Sequence, residues 1–426
     1  MEQVKTLSPV SARRAAPSAI VRAAWAPAVV VFVALGALLG AYFARGGDPR
    51  DFINIGLWFL QQGSTASRLI RYDPSYHGYP ASGIGYDGQF YYYFALDPSH
   101  AAPYIDWPAY RLSRPLYPLL ARALALGRPA LIPWTMLLIN WLAISGTVWA
   151  LGALLRRRGW SAWWALLYVV FPGTLVALRS DLAEPLAYGL AALGVLLYER
   201  GGKRRWLWSG GAFALAVLAR EAAAVFPAAL ALTAALVALR AARARVGRLR
   251  LVDVVGAATR PALWLVGIVA PYLAWKGVVA LWLRAWGTPL ESFPTPLPLM
   301  GLVERWPWTP TTWVAAVFYA IPAVICFGLA LYGLWRRPDA PELWALGLVS
   351  LVYVLLLNTL SWSEVDSPAR ISIELAVALL WAAPLLSQLA GRTRLWMIAT
   401  WSFWTALAPL MLLAFFPALS RLLGAD

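Results

Sequence analysis

The sequence predicts an all-α membrane protein, a polytopic bundle of about eleven transmembrane helices, and two observations support that prediction. The first is composition: of 426 residues, 61% are hydrophobic, only 13% are charged and 25 are tryptophan. The second is the recurrence of apolar runs of about 20 residues, the length that crosses a hydrocarbon core of roughly 30 Å. No soluble globular domain combines these properties, so we expect membrane lipids around most of the chain.

The charged residues exclude several classes of function. A net charge of +16 would favour nucleic acid as the partner of a soluble protein. Here the arginines form short clusters between apolar runs, which fits orientation in a membrane, and we expect no nucleic-acid partner. The single cysteine, Cys326, excludes an intramolecular disulfide and a thiolate metal cluster. We therefore expect no cofactor; a divalent metal stays possible, but no spacing of ligands indicates one.

The chain divides into a basic segment and one long membrane domain. Residues 1–24 are polar and basic and are expected in the cytoplasm, and residues 25–426 form the single transmembrane domain. A large extracytoplasmic loop, residues 45–128, follows the first span. Apolar residues at helical spacing predict two helices along the membrane surface within that loop, at residues 52–60 and 116–126.

Residues 206–239 decide the number of later spans. As a single helix they would be about 51 Å long, well beyond the hydrocarbon core, so we predict two short spans that meet near Arg220 and Glu221. A kink is expected at Pro172 in the third span. The predicted spans are residues 25–44, 129–155, 161–178, 182–198, two within 206–239, 261–283, 311–335, 343–360, 371–389 and 395–419.

Charge fixes the orientation of these spans. With a cytoplasmic N-terminus, eleven spans put every arginine cluster on the cytoplasmic side, as the positive-inside rule requires. The clusters are residues 156–158, 200–205, 240–260, 336–337 and 392–394. The extracytoplasmic side receives two arginines and nearly all the acids that have no cytoplasmic arginine as a neighbour. These residues are Asp87, Asp97, Asp106, Asp181, Glu184, Arg220, Glu221, Glu364, Asp366 and Arg370.

The stretch GYDGQFYYYFALDP, residues 85–98, carries the strongest chemical signal. Asp87 lies between two glycines that let the backbone turn sharply and hold the carboxylate forward. The aromatic run at residues 90–94 suits a helix at the membrane–water interface. Asp87 equally fits a turn residue or helix cap, with the tyrosines as interfacial anchors.

The string Tyr86-Asp87-Gly88-Gln89-Phe90-Tyr91-Tyr92 resembles the first-loop motif of the GT-C superfamily of integral-membrane glycosyltransferases. The closest resemblance is to bacterial relatives of the dolichyl-phosphate-mannose-dependent GPI mannosyltransferases. The segment at residues 106–118 is similar to the sequence that comes after the motif in those proteins. The resemblance covers residues 85–125 and is architectural elsewhere, and it implies a multi-pass protein of the bacterial plasma membrane.

The resemblance implies an inverting transferase of a hexose such as mannose, in which Asp87 is the base that takes the acceptor proton. An extracytoplasmic site has no supply of nucleotide sugars, and the chain has no GxGxxG or Walker-type loop. The expected donor is therefore a sugar on a polyprenyl phosphate, and the acceptor is a hydroxyl on a glycan, a lipid or a protein.

Further residues are predicted to bind the substrates. They are Gln89, Tyr91, Tyr92, Arg111, Arg114, Asp181, Glu184, Arg220, Glu221, Asp366 and Arg370. Arg111 and Arg114 fit arginines that snorkel to the membrane interface and also fit phosphate contacts. Asp366 also fits a cap of the following helix, and Arg370 also fits a solvated loop residue.

Two of these pairs have structural alternatives. Asp181 and Glu184 fit a capping box at the start of a helix, which would also favour its dipole. Arg220 and Glu221 fit either a contact to the donor phosphate or a purely structural ion pair with each other.

Two other functions remain open from the sequence. A transporter or flippase of lipid-linked saccharides would place polar residues at mid-span and would often show a repeat. An O-antigen ligase or polymerase would place its large outer loop late in the chain, whereas here that loop comes first.

Overall fold

A computed structural model describes residues 17–80, 83–246, 250–285, 295–389 and 404–405. Within these residues every regular element is a helix, and the isolated antiparallel bridge between Ile55 and Gly85 is the one β-type pairing. The prediction of an all-α membrane bundle is confirmed at this level.

The helices follow one another with short connections. In chain order they are α1 (Pro17–Ala44), α2 (Leu57–Gln62), α3 (Gly88–Leu96), α4 (Pro108–Arg111), α5 (Leu116–Leu124), α6 (Ile132–Arg157), α7 (Leu167–Val170), α8 (Pro172–Arg179) and α9 (Glu184–Arg200), then α10 (Arg205–Ala219), α11 (Val225–Val246), α12 (Leu251–Leu283), α13 (Met300–Val303), α14 (Pro310–Ala315), α15 (Ile321–Arg336), α16 (Pro341–Leu348), α17 (Asp366–Ile371) and α18 (Ile373–Leu389). Two π-helical segments, Ala316–Ala320 and Val349–Leu355, follow α14 and α16.

Six helices in the described ranges are long and apolar enough to cross a membrane, and a bent pair raises the number to seven if it is one span. The six are Ala24–Ala44, Pro129–Arg157, Glu221–Arg245, Leu251–Leu283, Pro310–Arg336 and Asp366–Leu389. The chain is therefore a multi-pass membrane protein. The predicted count of eleven is not reached, because α9 has 17 residues and α10 has 15, and because the predicted last span lies almost wholly outside the described residues.

Two predicted interruptions are present. α10 ends at Ala219 and α11 starts at Val225, so residues 206–239 do form two helices, with Arg220 extended between them. The chain bends by 59° between Ala162–Val170 and Pro172–Arg179. Pro172 cannot donate the backbone hydrogen bond that would continue the helix.

The predicted cytoplasmic loop at residues 240–260 is mostly helical instead. α11 continues to Val246, and α12 already begins at Leu251. Arginine and alanine, which dominate this stretch, are both good helix formers, so a cluster of charge need not end a helix.

In the first loop α5 agrees with the helix predicted at residues 116–126, whereas α2 overlaps only the end of the one predicted at residues 52–60. The aromatic run also forms a helix, α3, but eight of its nine residues are buried in the protein. The prediction that the tyrosines of this helix are interfacial anchors is therefore wrong. The rest of the loop and the neighbouring helices cover it.

The long helices share a polarity along the bundle. α6, α9 and α15 each end in an arginine, and α11 ends close to two more. The opposite ends of α9 and α11 carry the acids Glu184 and Glu221. One end of the bundle is therefore basic, and the other gathers the acids.

This polarity predicts that the two ends lie on opposite sides of the membrane. Thr65 in the first loop and Ser161 after α6 are both exposed, and the span Pro129–Arg157 separates them. In Thr65→Cys and Ser161→Cys variants, an impermeant maleimide should label position 65 in intact spheroplasts and position 161 only after permeabilisation. Cys326 is buried, so its own labelling by the maleimide should be low. Labelling of both positions from one side would contradict the arrangement.

Candidate functional site

A cavity of about 550 Å³ opens at the end of the bundle that gathers the acids. Its wall comes from the first loop, the α10–α11 break, α12, the second π-helical segment and α17. This volume lies within the usual range of small-molecule sites. The charged residues of the wall are Asp87, Asp106, Arg111, Arg114, Arg220, Glu221, Lys276, Glu364 and Arg370.

The position of Asp87 depends on the two glycines of its motif. Gly85 has φ +70°, and a Cβ there would lie 2.4 Å from the amide nitrogen of Gly56. A Cβ on Gly88 would lie 2.0 Å from the carbonyl oxygen of Ser180. A side chain at Gly85 would therefore push the Asp87 turn away from Gly56, and one at Gly88 would push it away from Ser180.

Asp87 stands just before α3, but its side chain makes no capping hydrogen bond. Its Oδ2 instead accepts a hydrogen bond from Arg111 Nη1 at 2.6 Å and another from Arg370 Nη1. Among the described residues, Oδ1 receives no hydrogen bond. Asp87 therefore occupies a turn at the N-cap position of α3, as one interpretation predicted, but its side chain pairs with the arginines instead of capping the helix. One carboxylate oxygen is left for a ligand.

The two arginines are held differently. Arg111 also donates from Nε and Nη2 to Asp106 Oδ1 and Oδ2, at 2.9 and 3.1 Å, and stacks 4.9 Å from the Phe90 ring centre. Arg370 stacks 5.2 Å from the Tyr86 ring centre, and its Nε has no partner in the described part of the chain. Arg111 is fixed between two acids, whereas Arg370 depends on Asp87.

The electrostatics keep Asp87 ionised. Its burial opposes the charged form, but the Arg111 and Arg370 guanidiniums outweigh burial and hold the pKa of Asp87 well below its ordinary value. A carboxylate in this state is a weak base until a cation leaves it.

A second charged centre lies where α10 meets α11. Arg114 donates to Glu221 from Nε at 2.8 Å and from Nη2 at 2.5 Å. Arg220 is paired with Glu184 instead. Arg220 and Glu221 thus do not pair with each other, and the prediction of a mutual ion pair is wrong.

Arg111 and Arg114 do not snorkel to an interface. Their side chains are only 10% and 4% exposed. A buried guanidinium needs an acid as partner, and each has one in the cavity wall. This removes the alternative in which they anchor the loop at the membrane surface.

Asp181 lies outside the cavity wall. It is fully buried at φ +44°, and its Oδ1 accepts hydrogen bonds from Asn140 Nδ2 at 3.1 Å and Tyr117 OH at 3.4 Å. Burial raises the pKa of Asp181 to about 8. The predicted capping box of Asp181 and Glu184 is wrong, because α9 has no side-chain cap.

Of the other predicted residues, one lines the cavity and the rest lie outside its wall. Gln89 is on the wall, but it accepts a hydrogen bond from Gly56 N at 3.1 Å and donates one to Ile84 O at 2.8 Å, so it holds the loop. Tyr91, Tyr92 and Asp366 do not line the cavity. Tyr91 packs on Tyr117, and Asp366 lies 3.9 Å from Arg179 with no side-chain cap to its helix.

Several residues of the wall were not among the predicted site residues, and they include Asp106, Tyr110, Tyr353 and Glu364. Asp106 could have been found, since it stands five residues before Arg111. Tyr353 could not, because a π-helical turn changes which side chains face inward, and no sequence pattern marks it.

In the described ranges, no group of three or more His, Cys, Asp or Glu side chains could hold a metal ion. No protein-family model, curated protein or solved structure matches this chain. The function must therefore be argued from the geometry of the cavity and from the chemistry of its residues.

The Gly88 contact makes a prediction about the site's construction. Gly88→Ala should unfold more easily or lose the Asp87 turn, because its Cβ collides with a backbone oxygen that cannot rotate away. Gly146→Ala is the matched control, since nothing lies within 4 Å of a Cβ there. Thermal unfolding in detergent measures both. Equal melting temperatures for the two variants would contradict the tight contact.

The buried pair of Glu184 and Arg220 makes a second prediction. Glu184→Gln should cost roughly 3–5 kcal/mol of unfolding free energy, because it leaves a guanidinium buried without its acid. Asp339→Asn, which removes the acid of a surface pair that is 37% exposed, should cost about 0–1 kcal/mol. Denaturant unfolding in a mild detergent compares them. Similar small losses would show that Arg220 finds another partner.

Proposed function

We propose that this chain is an inverting membrane glycosyltransferase of GT-C-like architecture. It moves a hexose such as mannose from a polyprenyl-phosphate donor to an acceptor hydroxyl. The cavity then faces the extracytoplasmic side of a bacterial plasma membrane, and about eleven spans complete the same proposal. The observation that carries it is the Asp87 carboxylate, which pairs with two arginines on the cavity wall and has one oxygen without a partner among the described residues.

The residues support a transfer with one carboxylate. Asp87 takes the proton of the acceptor hydroxyl, and the acceptor oxygen bonds to the anomeric carbon from the face opposite the phosphate. The bond from that carbon to the phosphate oxygen breaks, and the phosphate leaves with the electron pair. A leaving phosphate needs little protonation, so the second acid of glycosidases is not required.

The arginines supply the other requirement. A departing phosphate needs preorganised cations, and Arg111 and Arg370 already lie at Asp87. If the donor phosphate takes Arg370 from Asp87, the carboxylate loses a cation and its basicity rises. Donor binding and activation of the base are thereby one event.

The apolar part of the wall supports a lipid-borne donor. Tyr272 of α12 faces the cavity beside Val352, Tyr353 and Leu356 of the π-helical region. Only 17% of the most apolar stretch of α12 is buried inside the protein. A prenyl chain can therefore reach the cavity from the bilayer along this helix.

The decisive variant is Asp87→Asn. An amide keeps the size of the side chain but cannot take a proton, so transfer should fall by roughly 10²–10⁴. The assay is sugar transfer from synthetic polyprenyl-phosphate mannose by purified protein, per mole of folded enzyme. Donor binding, measured separately, should persist because both arginines remain.

Asp106→Asn is the matched control, since it also removes an acid from Arg111 but leaves the base in place. It should retain at least tenfold more activity than Asp87→Asn at an equal folded fraction. Transfer by Asp87→Asn at more than about a tenth of the wild-type rate would exclude Asp87 as the base.

A further inference from the structure

Trp107 has a backbone conformation that its side chain does not favour. Its φ is +43° and ψ is +59°, the left-handed region that bulky residues rarely enter. Such strain concentrates at functional sites, where the surrounding structure enforces it. The indole lines the cavity and is 38% exposed. A large flat apolar surface is thus held open at the cavity rather than buried in the core.

The position of this ring is tied to Asp87. The carbonyl oxygen of Trp107 accepts hydrogen bonds from Tyr110 N at 2.9 Å and Arg111 N at 3.1 Å. The preceding residue, Asp106, holds the Arg111 guanidinium, which donates to Asp87. The backbone and the side chains therefore connect the indole to the carboxylate through a few short contacts.

The polar groups of the same wall are hydroxyls and acids. Ser361, Ser363 and Glu364 line the cavity from the loop before α17. Glu364 is exposed and forms no hydrogen bond or ion pair with the described residues. These groups can accept or donate hydrogen bonds to a ligand that carries hydroxyls, whereas a purely apolar ligand would not use them.

A hexose ring has the complementary surface. One face of a pyranose presents C–H groups, which suit an aromatic plane, and its edge carries hydroxyls that donate to a carboxylate. We propose that the acceptor is a neutral saccharide, whose terminal ring stacks on Trp107 and whose hydroxyls bind Glu364. This inference rests on the proposed transferase function and names its acceptor class.

The test compares three substitutions of Trp107. Phe keeps an aromatic plane, Ala removes it under the same backbone strain, and Gly removes it while relieving that strain. Acceptor kinetics are measured with methyl α-mannoside and with a methyl mannobioside, at saturating polyprenyl-phosphate mannose. Trp107→Ala and Trp107→Gly should raise the half-saturating acceptor concentration at least tenfold and change that of the donor less than twofold. Trp107→Phe should recover most of the loss.

Trp58→Ala is the control, because Trp58 is 54% exposed in the same loop but does not line the cavity. It should match the wild type. Trp107→Gly with acceptor kinetics within twofold of the wild type overturns the inference, as does an enzyme that glycosylates only phospholipids or peptides. In both results the transferase function stands.

Saccharide binding is measured separately by saturation-transfer NMR with the same glycosides and no donor. Binding that depends on Trp107, in a protein that transfers no sugar from polyprenyl phosphate, supports the saccharide site and rejects the transferase. Binding that is equal in wild type and Trp107→Gly rejects the saccharide site.

Discussion

A buried charge must have a partner, and this constraint organises the end of the bundle where the cavity opens. Asp87 is paired with Arg111 from the first loop and with Arg370 from α17. Arg114 reaches Glu221 after α10. The pairs that Asp87 and Arg114 make with Arg370 and Glu221 join segments more than a hundred residues apart, so the long first loop is docked on the helices by charge. The cavity is the space that remains between the paired groups.

What could be predicted from the sequence depends on local features of the chain. Apolar length and arginine clusters are local features, and they located most helices and the break at Arg220 correctly. They also grouped on one side the acids that the cavity brings together. Asp87 itself stood out, because glycines on both sides of an acid mark a backbone that must turn closely.

The partners of the charges could not be predicted in the same way. Arg220 and Glu221 are adjacent in sequence, but Arg220 is extended, with φ −159° and ψ 122°. Successive side chains of an extended backbone point to opposite sides, so one meets Glu184 and the other Arg114. The burial of α3 could not be predicted either, because a tyrosine-rich helix has the same composition at a membrane interface and beneath a loop of the protein.

The charges of the cavity also bear on the proposed chemistry. Five cationic and four anionic side chains line it, and the fifth cation, Arg220, is paired with Glu184 behind the wall. A polyprenyl-phosphate sugar is a phosphodiester with a single negative charge, so in the proposed function its phosphate draws a guanidinium away from a carboxylate of the site. In the proposed transfer the phosphate gains one negative charge while Asp87, on accepting the proton, loses one. The total stays constant, and the guanidinium that still pairs with Asp87 is released by its protonation when the phosphate most needs a cation. A low-dielectric site can sustain such a reaction because charge moves within it and none has to enter or leave.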